Sequence, residues 1–446
     1  MSPSTPSPYE QYVYAYPHKT AYRPLPERPA LADLWSGEDK RALSLYAHVP
    51  FCEVRCGFCN LFTRIGARPE LVTAYLDALE RQAEAVREAL DADGTEVRFA
   101  AAAFGGGTPT FLTPAELTRL CDIAELRMGA DLRAVPLSVE ASPPTVDAER
   151  LRVLAERGTT RLSLGVQSFV ESETWTAVRP QKRETVERAL ALVRETSIPL
   201  LNVDLIYGIP GQTPATWRYS LDAALAWEPE ELYLYPLYVR PRTGLGRRDG
   251  VDADPAWDAE RLERYRQGRD HLLAAGYEQV SMRMFRRPGS DAGLPSDTAC
   301  QTDGMVGLGC GARSYTSALH HSADWAVDTR RVRAILDEWT GRSRERFGRA
   351  EHGRWTTPDE ARRRHLLQSL LQAAGMPPGE YRERFGADPR EHFPTELAGF
   401  AARGWLAPEE DGRLRLSAEG LAHSDAVGPA LFSPAVREAM AGYTGG

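Results

Sequence analysis

Cysteine is scarce here: six occur in 446 residues, and three of them, Cys52, Cys56 and Cys59, fall within eight positions. A disulfide framework needs spread, paired cysteines, so this distribution excludes one, and in a reducing compartment a tight trio points to metal binding or redox chemistry. Basic charge is short as well. Lysine and arginine number 54 against 62 acidic residues, a net charge of -8, the wrong sign for a chain that lives on nucleic acid or an anionic membrane. Long apolar runs are missing: the uncharged stretch 99–115 carries three Gly and two Pro and cannot be a spanning helix. The start, MSPSTPSPYEQ, has neither a basic opening nor an apolar run, so no signal peptide is read there and a cytoplasmic location is expected. What is present is ordinary for a globular chain, 42% hydrophobic and 26% charged, long enough for one large domain with smaller ones attached.

After a Ser/Pro tail and an aromatic lead over 9–22, strand-like and helix-like segments alternate. Strands are expected over 43–49, 97–104, 135–141, 161–169, 200–207 and 232–239, and amphipathic helices over 70–90, 114–126, 146–156, 183–196 and 214–227. Thr113 and Glu116 have the spacing of a capping box. Six strands, each followed by a helix, call for parallel pairing with right-handed crossovers, and the α/β fold expected is a partial barrel of TIM type. Beyond Pro241 the rhythm weakens into a Gly/Arg/Asp loop, a helix over 258–275, a strand over 277–285 and a Gly-rich turn over 307–311. From Arg362 onward the chain reads as helical, with a hairpin-like stretch over 404–416, together a winged cap. Winged helices can read DNA, but the charge balance argues against it. The divisions expected are an N-terminal extension (1–40), the barrel (41–245), its extension (246–350) and the cap (351–446).

The cysteines follow the first strand, which ends at Pro50, so they sit on a loop at a strand's C-terminal end, the face that carries the active site in parallel α/β barrels. Two metal readings are open. Zinc would need a fourth ligand, for which His48 is nearest. A four-iron, four-sulfur cluster held by three thiolates would leave one iron open.

The pattern Cys52-x3-Cys56-x2-Cys59, with aromatic Phe58 before the last cysteine, resembles the signature of the radical S-adenosylmethionine (SAM) superfamily. Four words narrow the resemblance. Tyr46-x-His48-Val49-Pro50-Phe51-Cys52, Phe104-Gly105-Gly106-Gly107-Thr108-Pro109-Thr110, Arg161-Leu162-Ser163-Leu164-Gly165-Val166-Gln167-Ser168-Phe169 and the stretch from Asn202 to Thr213 are similar, in order, to the oxygen-independent coproporphyrinogen III oxidase family over roughly residues 40–320. The resemblance implies a [4Fe-4S] cluster on the three cysteines that reduces SAM, releasing methionine and a 5'-deoxyadenosyl radical that takes hydrogen from a small organic substrate. It implies SAM binding by Gly105, Gly106, Gly107 and Thr108, by Glu140 and Gln167, by Arg179 toward the carboxylate, and by Asp204. Tyr46 and Phe58 would pack beside SAM and the cluster. Ile206 and Gly208 belong to a word near which the family binds a second SAM, so one or two SAM molecules are expected. An external electron donor such as flavodoxin or ferredoxin is implied, and a monomer that binds neither nucleic acid nor membrane is expected.

Departures matter as much. The oxidases carry a further cysteine where this chain has Leu61, and the haem chaperones of the family carry a haem motif where this chain has Ser296-Asp297-Thr298-Ala299-Cys300-Gln301. Ser142 stands where Asn is common, and in Gly307-Leu308-Gly309-Cys310-Gly311-Ala312-Arg313-Ser314 the residues Cys310 and Arg313 replace Pro and His. Arg313 and Tyr46 are the catalytic candidates, Arg313 as receiver of a substrate carboxylate or phosphate, while Cys310 reads as a buried thiol. The alternatives carried forward are a two-SAM carbon methyltransferase or cyclopropane-forming enzyme, a haem-trafficking protein, and the authentic coproporphyrinogen III dehydrogenase.

Overall fold

Six parallel strands, neighbours in chain order, form the centre of the sheet: β1 (Leu43–Val49), β2 (Phe99–Gly106), β3 (Leu137–Ala141), β4 (Thr159–Gln167), β5 (Leu200–Tyr207) and β6 (Glu231–Pro236). The computed structural model that shows this describes residues 7–240, 243–249, 254–290, 300–409 and 411–443. The connections are helices α1 (Pro69–Asp91), α2 (Pro114–Asp122), α3 (Ala148–Glu156), α4 (Arg183–Arg194) and α5 (Pro214–Leu225). The capping box starts α2 as expected, with Thr113 accepting from the Glu116 amide at 3.3 Å and Glu116 accepting from the Thr113 amide at 2.8 Å.

Period-two patterning explains why the sheet curls as it does. One face presents Leu45, Ala47, Val139, Leu162, Leu164, Leu201, Val203 and Leu232, all buried in the main hydrophobic core under the helices. The other presents Tyr46, His48, Ser138, Glu140, Arg161, Ser163, Asn202, Asp204 and Tyr233, which no globular core would accept unless that face lined a polar interior. Along the curved sheet the two ends are not hydrogen-bonded to one another among the described residues, so the barrel is partial.

Two expectations change. The turn over 307–311 begins inside a strand, β8 (Met305–Leu308), which runs parallel to β1 and adds a seventh parallel member on its outer side. Four residues interrupted by Gly307 give no readable period, and the glycine is required because a Cβ there would lie 2.1 Å from the Arg313 carbonyl oxygen. The strand expected over 277–285 is instead a tight hairpin, Glu278–Gln279 against β7 (Met284–Arg286), with β7 antiparallel to β6. Ser281 turns the chain by accepting from the Arg283 and Met284 amides at 3.3 and 3.1 Å. Beyond β8 the sheet continues through antiparallel β9 (Arg313–Tyr315), β10 (Leu319–Ser322) and β11 (His352–Trp355), thirteen strands among the described residues. Past Pro241, which with residues 242, 250–253 and 291–299 lies outside the described residues, the helix expected over 258–275 is α6 (Pro255–Ala274).

A second hydrophobic cluster, built on Leu366, Leu370, Tyr381, Phe393, Phe400, Trp405 and Val427, forms the helical cap and also takes in Tyr16 and Ala21 from the N-terminal lead. The expected wing survives as one bridge, Leu406 with Leu416, flanked by amide bonds from Ala407 to Arg415 and from Ser417 to Trp405. Among the described residues no helix is long and apolar enough to cross a membrane.

A buried ion pair helps to pin the cap to the sheet. Arg283 and Asp425, whose side chains are 6% and 2% exposed, are bonded to each other, Tyr238 also donates to Asp425, and the Arg283 guanidinium stacks 3.9 Å over Tyr12. Removing one partner leaves a desolvated charge, so Arg283→Met should destabilise the protein by about 3–5 kcal/mol in urea unfolding, and Asp425→Leu added to it should recover part of the loss. A loss under about 1 kcal/mol for the single variant, the range of exposed pairs, would show that the pair is not what holds the cap.

Candidate functional site

The cysteine loop leaves β1 at Pro50 and is clamped from behind rather than left to drape. The Gly57 amide donates to the Ala177 carbonyl at 3.0 Å, and its own carbonyl accepts from the Leu245 amide at 2.8 Å. A Cβ on Gly57 would meet Ala177, Val178 and Leu245, each at 2.9 Å. Glycine is therefore what lets three segments close on one point. Val178 holds a φ of 52°, a left-handed conformation costly for a β-branched residue, and the next residue is Arg179. The strained loop aims that side chain. Its Nη1 donates to Cys56 Sγ at 3.0 Å, and its Nη2 donates to Ser142 Oγ at 3.0 Å and to the Gly165 carbonyl at 2.8 Å. Its Nε is buried with no partner.

Hydroxyls serve the other two sulfurs: Thr108 Oγ1 lies 3.5 Å from Cys52 Sγ and Thr63 Oγ1 lies 3.8 Å from Cys59 Sγ. Burial and the neighbouring thiols push Cys52 up to about 12, and burial raises Cys59 in the same direction. Three crowded, desolvated thiols with a cationic arginine and two hydroxyls aimed at them suit thiolates held by a polycationic inorganic centre, which reverses the penalty on the charged sulfurs and draws hydrogen bonds at its sulfur atoms. Among the described residues no three His, Cys, Asp or Glu side chains converge on a single ion position. His48, the nearest candidate for a fourth ligand in the zinc reading, is committed elsewhere, its Nε2 3.0 Å from the Phe62 carbonyl and its Nδ1 3.2 Å from the Tyr46 hydroxyl. Burial holds it neutral, with its pKa down at about 4.

The glycine run crosses back over the end of β1. The Gly107 amide donates to the Val49 carbonyl at 2.7 Å and the Thr108 amide to the Phe51 carbonyl at 2.8 Å. Gly106, at a φ of 110°, lies against the His48 ring, where a Cβ would come within 2.4 Å, and its amide donates to Glu140 Oε2 at 2.9 Å. A Cβ on Gly105 would touch the Glu140 carboxyl at 2.9 Å, so the glycines make room for the protein's own His48 and Glu140 as well as for a ligand.

Glu140 keeps accessible surface yet is enclosed by protein, as a side chain facing a solvent-reachable interior must be. Burial raises its pKa, and Asp204, charged alike, adds to the shift. Asp204 shares the interior, accepting from Asn202 Nδ2 at 2.7 Å and from Ser163 Oγ at 3.2 Å. Gln167 ends β4 at a φ of 71°, beyond a break in register after Gly165, with Gln181 Nε2 donating to the Val166 carbonyl at 2.9 Å to hold the bend. Backbone strain at two of the residues flanking the cysteine loop, Val178 and Gln167, is the pattern of a functional site.

The structure thus gathers Cys52, Cys56, Cys59, the glycine run, Thr108, Glu140, Gln167, Arg179 and Asp204 at the C-terminal ends of the strands. Phe58 packs in a small apolar cluster with Ile206, Ala177 and Leu245, beside the clamp. Gly208 does otherwise: its amide donates to Gln212 Oε1 at 2.7 Å, and a Cβ would strike Arg261 Cγ at 2.3 Å, so its left-handed φ of 79° serves side-chain packing. Cys310 is a fully buried thiol, raised by that burial, as its surroundings led one to expect. Arg313 is no surface residue. Its guanidinium lies 4.6 Å over the Tyr14 ring near Tyr46 and Tyr315.

Sequence reasoning missed the N-terminal lead. Tyr12 meets Tyr235 at 6.3 Å between ring centroids, Tyr14 covers Arg313, and the Lys19 ammonium lies 3.6 Å over the Trp325 ring, so the lead runs across the barrel mouth. The alternation Tyr12-Val13-Tyr14-Ala15-Tyr16 was the available signal, a two-faced extended segment. A shallow cleft lined by Trp35, Gln82, His321 and Arg342 opens on the sheet extension; none of the three cysteines lines it, and Arg342 is already paired to Glu351 at 2.9 Å.

Comparison with known proteins matches residues 46–224 to the radical SAM superfamily and residues 356–423 to the HemN C-terminal domain. The chain is 37% identical to the oxygen-independent coproporphyrinogen III oxidase of Paracoccus denitrificans over 56% of its own length, and spans about half of that relative, 54%. It is 32% identical to the heme chaperone HemW of Escherichia coli over 60% of this chain and 69% of that one. The solved structure of the E. coli coproporphyrinogen III oxidase HemN, at 22% identity, has the same fold, with a TM-score of 0.74 over 90% of this chain and 92% of that one.

Proposed function

This chain belongs to the radical SAM superfamily, in the family of the oxygen-independent coproporphyrinogen III oxidases and HemW, whose chemistry uses a [4Fe-4S] cluster and SAM, and from that premise we propose that it is an enzyme that cleaves SAM to activate a C–H bond of an organic substrate other than coproporphyrinogen III. The observation that carries the reading is the single side chain of Arg179, bonded to Cys56 and to the ends of two strands while keeping a buried Nε free.

When bound, the cluster and SAM together supply one-electron cleavage of a sulfonium and the means to take hydrogen from carbon. Cys52, Cys56 and Cys59 hold the cluster in this reading. The Arg179 guanidinium and the Glu140 carboxylate are spaced along the strand ends to receive the two charged groups of an amino acid, carboxylate and ammonium respectively. Ser142, in place of the family's Asn, accepts from Arg179 and fixes its fork. Asp204 and Gln167 offer further polar contacts on the same face, and Tyr46, tied to His48, and Arg313 border the substrate side. A one-electron donor such as flavodoxin or ferredoxin would meet the exposed outer side of the loop, where Val54 and Leu61 are 47% and 43% exposed.

Leu61 and Arg313 argue for a substrate other than the tetrapyrrole of the oxidases, since both depart from the family's words. Of the haem-chaperone word, Cys300 and Gln301 are described and residues 296–299 are not, and Gln301 Oε1 accepts from the Tyr16 amide at 2.8 Å, a contact to the chain's own lead. Product analysis after anaerobic incubation with SAM, reductant and coproporphyrinogen III separates these readings. We expect 5'-deoxyadenosine without protoporphyrinogen IX. Multiple-turnover protoporphyrinogen formation would restore the oxidase, 5'-deoxyadenosine accompanied by S-adenosylhomocysteine would indicate methyl transfer, and neither product from cluster-loaded protein would favour haem trafficking.

A further inference from the structure

Only three lysines stand among the 54 basic residues, and their settings differ sharply. Lys182 is exposed, and Lys40 is buried in an ion pair with Asp93 at 2.7 Å. Lys19 is half-buried on the barrel mouth with its ammonium 3.6 Å over Trp325, and its charged neighbours are Arg313 and the Cys59 thiol. Arg313 repeats the pattern. Its Nη1 is buried without a hydrogen-bond partner, and the groups around it are the phenols of Tyr14, Tyr22, Tyr46 and Tyr315. Neither cation forms an ion pair with a carboxylate among the described residues, and the interior carboxyl of Glu140, which Tyr46 also faces, is bonded to the Gly106 amide.

Burial and the nearby Arg313 charge push the Lys19 ammonium well down toward the neutral amine, and the Arg313 guanidinium is left without a counter-charge, a cost that an anion seated beside both would relieve. His18 cannot: burial together with Lys19 and Arg313 keeps it neutral. Ring faces of tyrosine and tryptophan stabilise the cations, and Tyr14 also takes a hydrogen bond from Arg313, but the buried Arg313 Nη1 is left unspent. Nor is the chain short of carboxylates, which it sets against arginines elsewhere in buried pairs such as Arg161 with Glu231 and Arg342 with Glu351.

We propose that Lys19 and Arg313 form a seat for an oxyanion of the substrate, a carboxylate or a phosphate, whose body lies against Tyr14, Tyr46 and Trp325. The proposal rests on the radical SAM reading only for taking this anion as the substrate's. Arg179, at the Cys56 side, is the partner assigned to the carboxylate of SAM, and Lys19 stands toward Cys59. Because the lead carries Lys19, an anion seated here would also tether the lead over the mouth, coupling substrate binding to closure of the site.

The three lysines make their own assay. Cluster-loaded protein, kept anaerobic, is pulsed with an amine-acetylating reagent, and acetylation of Lys19 is read by mass spectrometry against exposed Lys182 and ion-paired Lys40 in the same chain. Separate arms contain inorganic phosphate, propionate, neutral propionamide at matched ionic strength, and SAM alone. Phosphate or propionate should slow acetylation of Lys19, and of it alone, by about fivefold once the anion exceeds its Kd about four times, and the arm that protects at lower concentration identifies the group. Arg313→Met should remove the protection and Arg313→Lys should keep part of it. Equal rates with and without both anions, equal protection by propionamide, or protection that survives in Arg313→Met would overturn the seat. Protection by SAM alone as strong as by the anions would reassign it to the cofactor and overturn it as a substrate site. The near-400 nm absorbance and SAM affinity of the same wild-type samples test the cofactor reading separately, so a failed seat and a failed cluster give different records.

Discussion

Cys56→Ala should give a colourless protein: reconstitution that loads about four irons on the wild-type chain should leave the variant without the broad absorbance near 400 nm. Cys56 is the most buried of the trio and the sulfur to which Arg179 donates at 3.0 Å, so its loss removes a corner of the centre and the group that Arg179 neutralises. One sulfur lost from a clamped loop should leave the fold in place, because the clamp is made by Gly57, Ala177 and Leu245 through backbone bonds. Cys121→Ala and Cys310→Ala, at buried thiols outside the loop, are the controls and should keep both colour and iron. Stoichiometric zinc without iron in anaerobically purified wild type, or an unchanged spectrum in Cys56→Ala, would defeat the cluster assignment.

Next in size is the loss of SAM binding on removing its charged contacts. Glu140→Gln and Arg179→Met should each weaken SAM by about 10–100-fold, or about 1.4–2.7 kcal/mol, the size of a hydrogen bond to a charged group. Equilibrium dialysis with cluster-loaded protein measures it, with the absorbance of Glu140→Gln unchanged as a sign that the cluster remains. The pH profile adds a signature that mere structural damage would not give. Burial and Asp204 raise Glu140 above the ordinary carboxylate value, so in the free protein it takes up a proton as the pH falls through that raised pKa, and the neutral acid holds an ammonium poorly. Wild-type affinity should therefore decline on acidification sooner than an ordinary glutamate would allow, and Glu140→Gln should flatten the decline. An affinity within about twofold of wild type, or an unaltered pH profile, would remove Glu140 from the SAM site.

How far the sequence could be read depended on whether an element's job was repetitive. β1 and β5 were found residue for residue, at Leu43–Val49 and Leu200–Tyr207, because each alternates an apolar outward face with polar inward residues, and a parallel sheet repeats that signature from strand to strand. The cysteines, Glu140 and Arg179 were legible through spacing and through the words around them. β8 was not, since four residues with a mandatory glycine carry no period. His48 looked like a ligand because histidine near cysteine usually invites that reading, whereas its ring is spent on Phe62 and Tyr46 beneath two glycines. Lys19 escaped for a different reason. Nothing local marks a lysine in the lead as interior, and only the fold, by laying Tyr14 over Arg313, brings residue 19 into the electrostatic surroundings of the site.

The docking of that lead sets an order of assembly. Tyr16 accepts from the Ser433 amide at 3.1 Å and the Gln11 amide donates to the Asp425 carbonyl at 3.1 Å, contacts between positions separated by more than four hundred residues. Such closures come late, since the intervening chain must be made and folded before they bring any return. The lead is thus among the last segments to settle, and until it does the cysteine loop should stay open to whatever delivers iron and sulfur. In that order the site closes only once the cap is in place, and a chain whose cap fails to form would keep it open to oxygen.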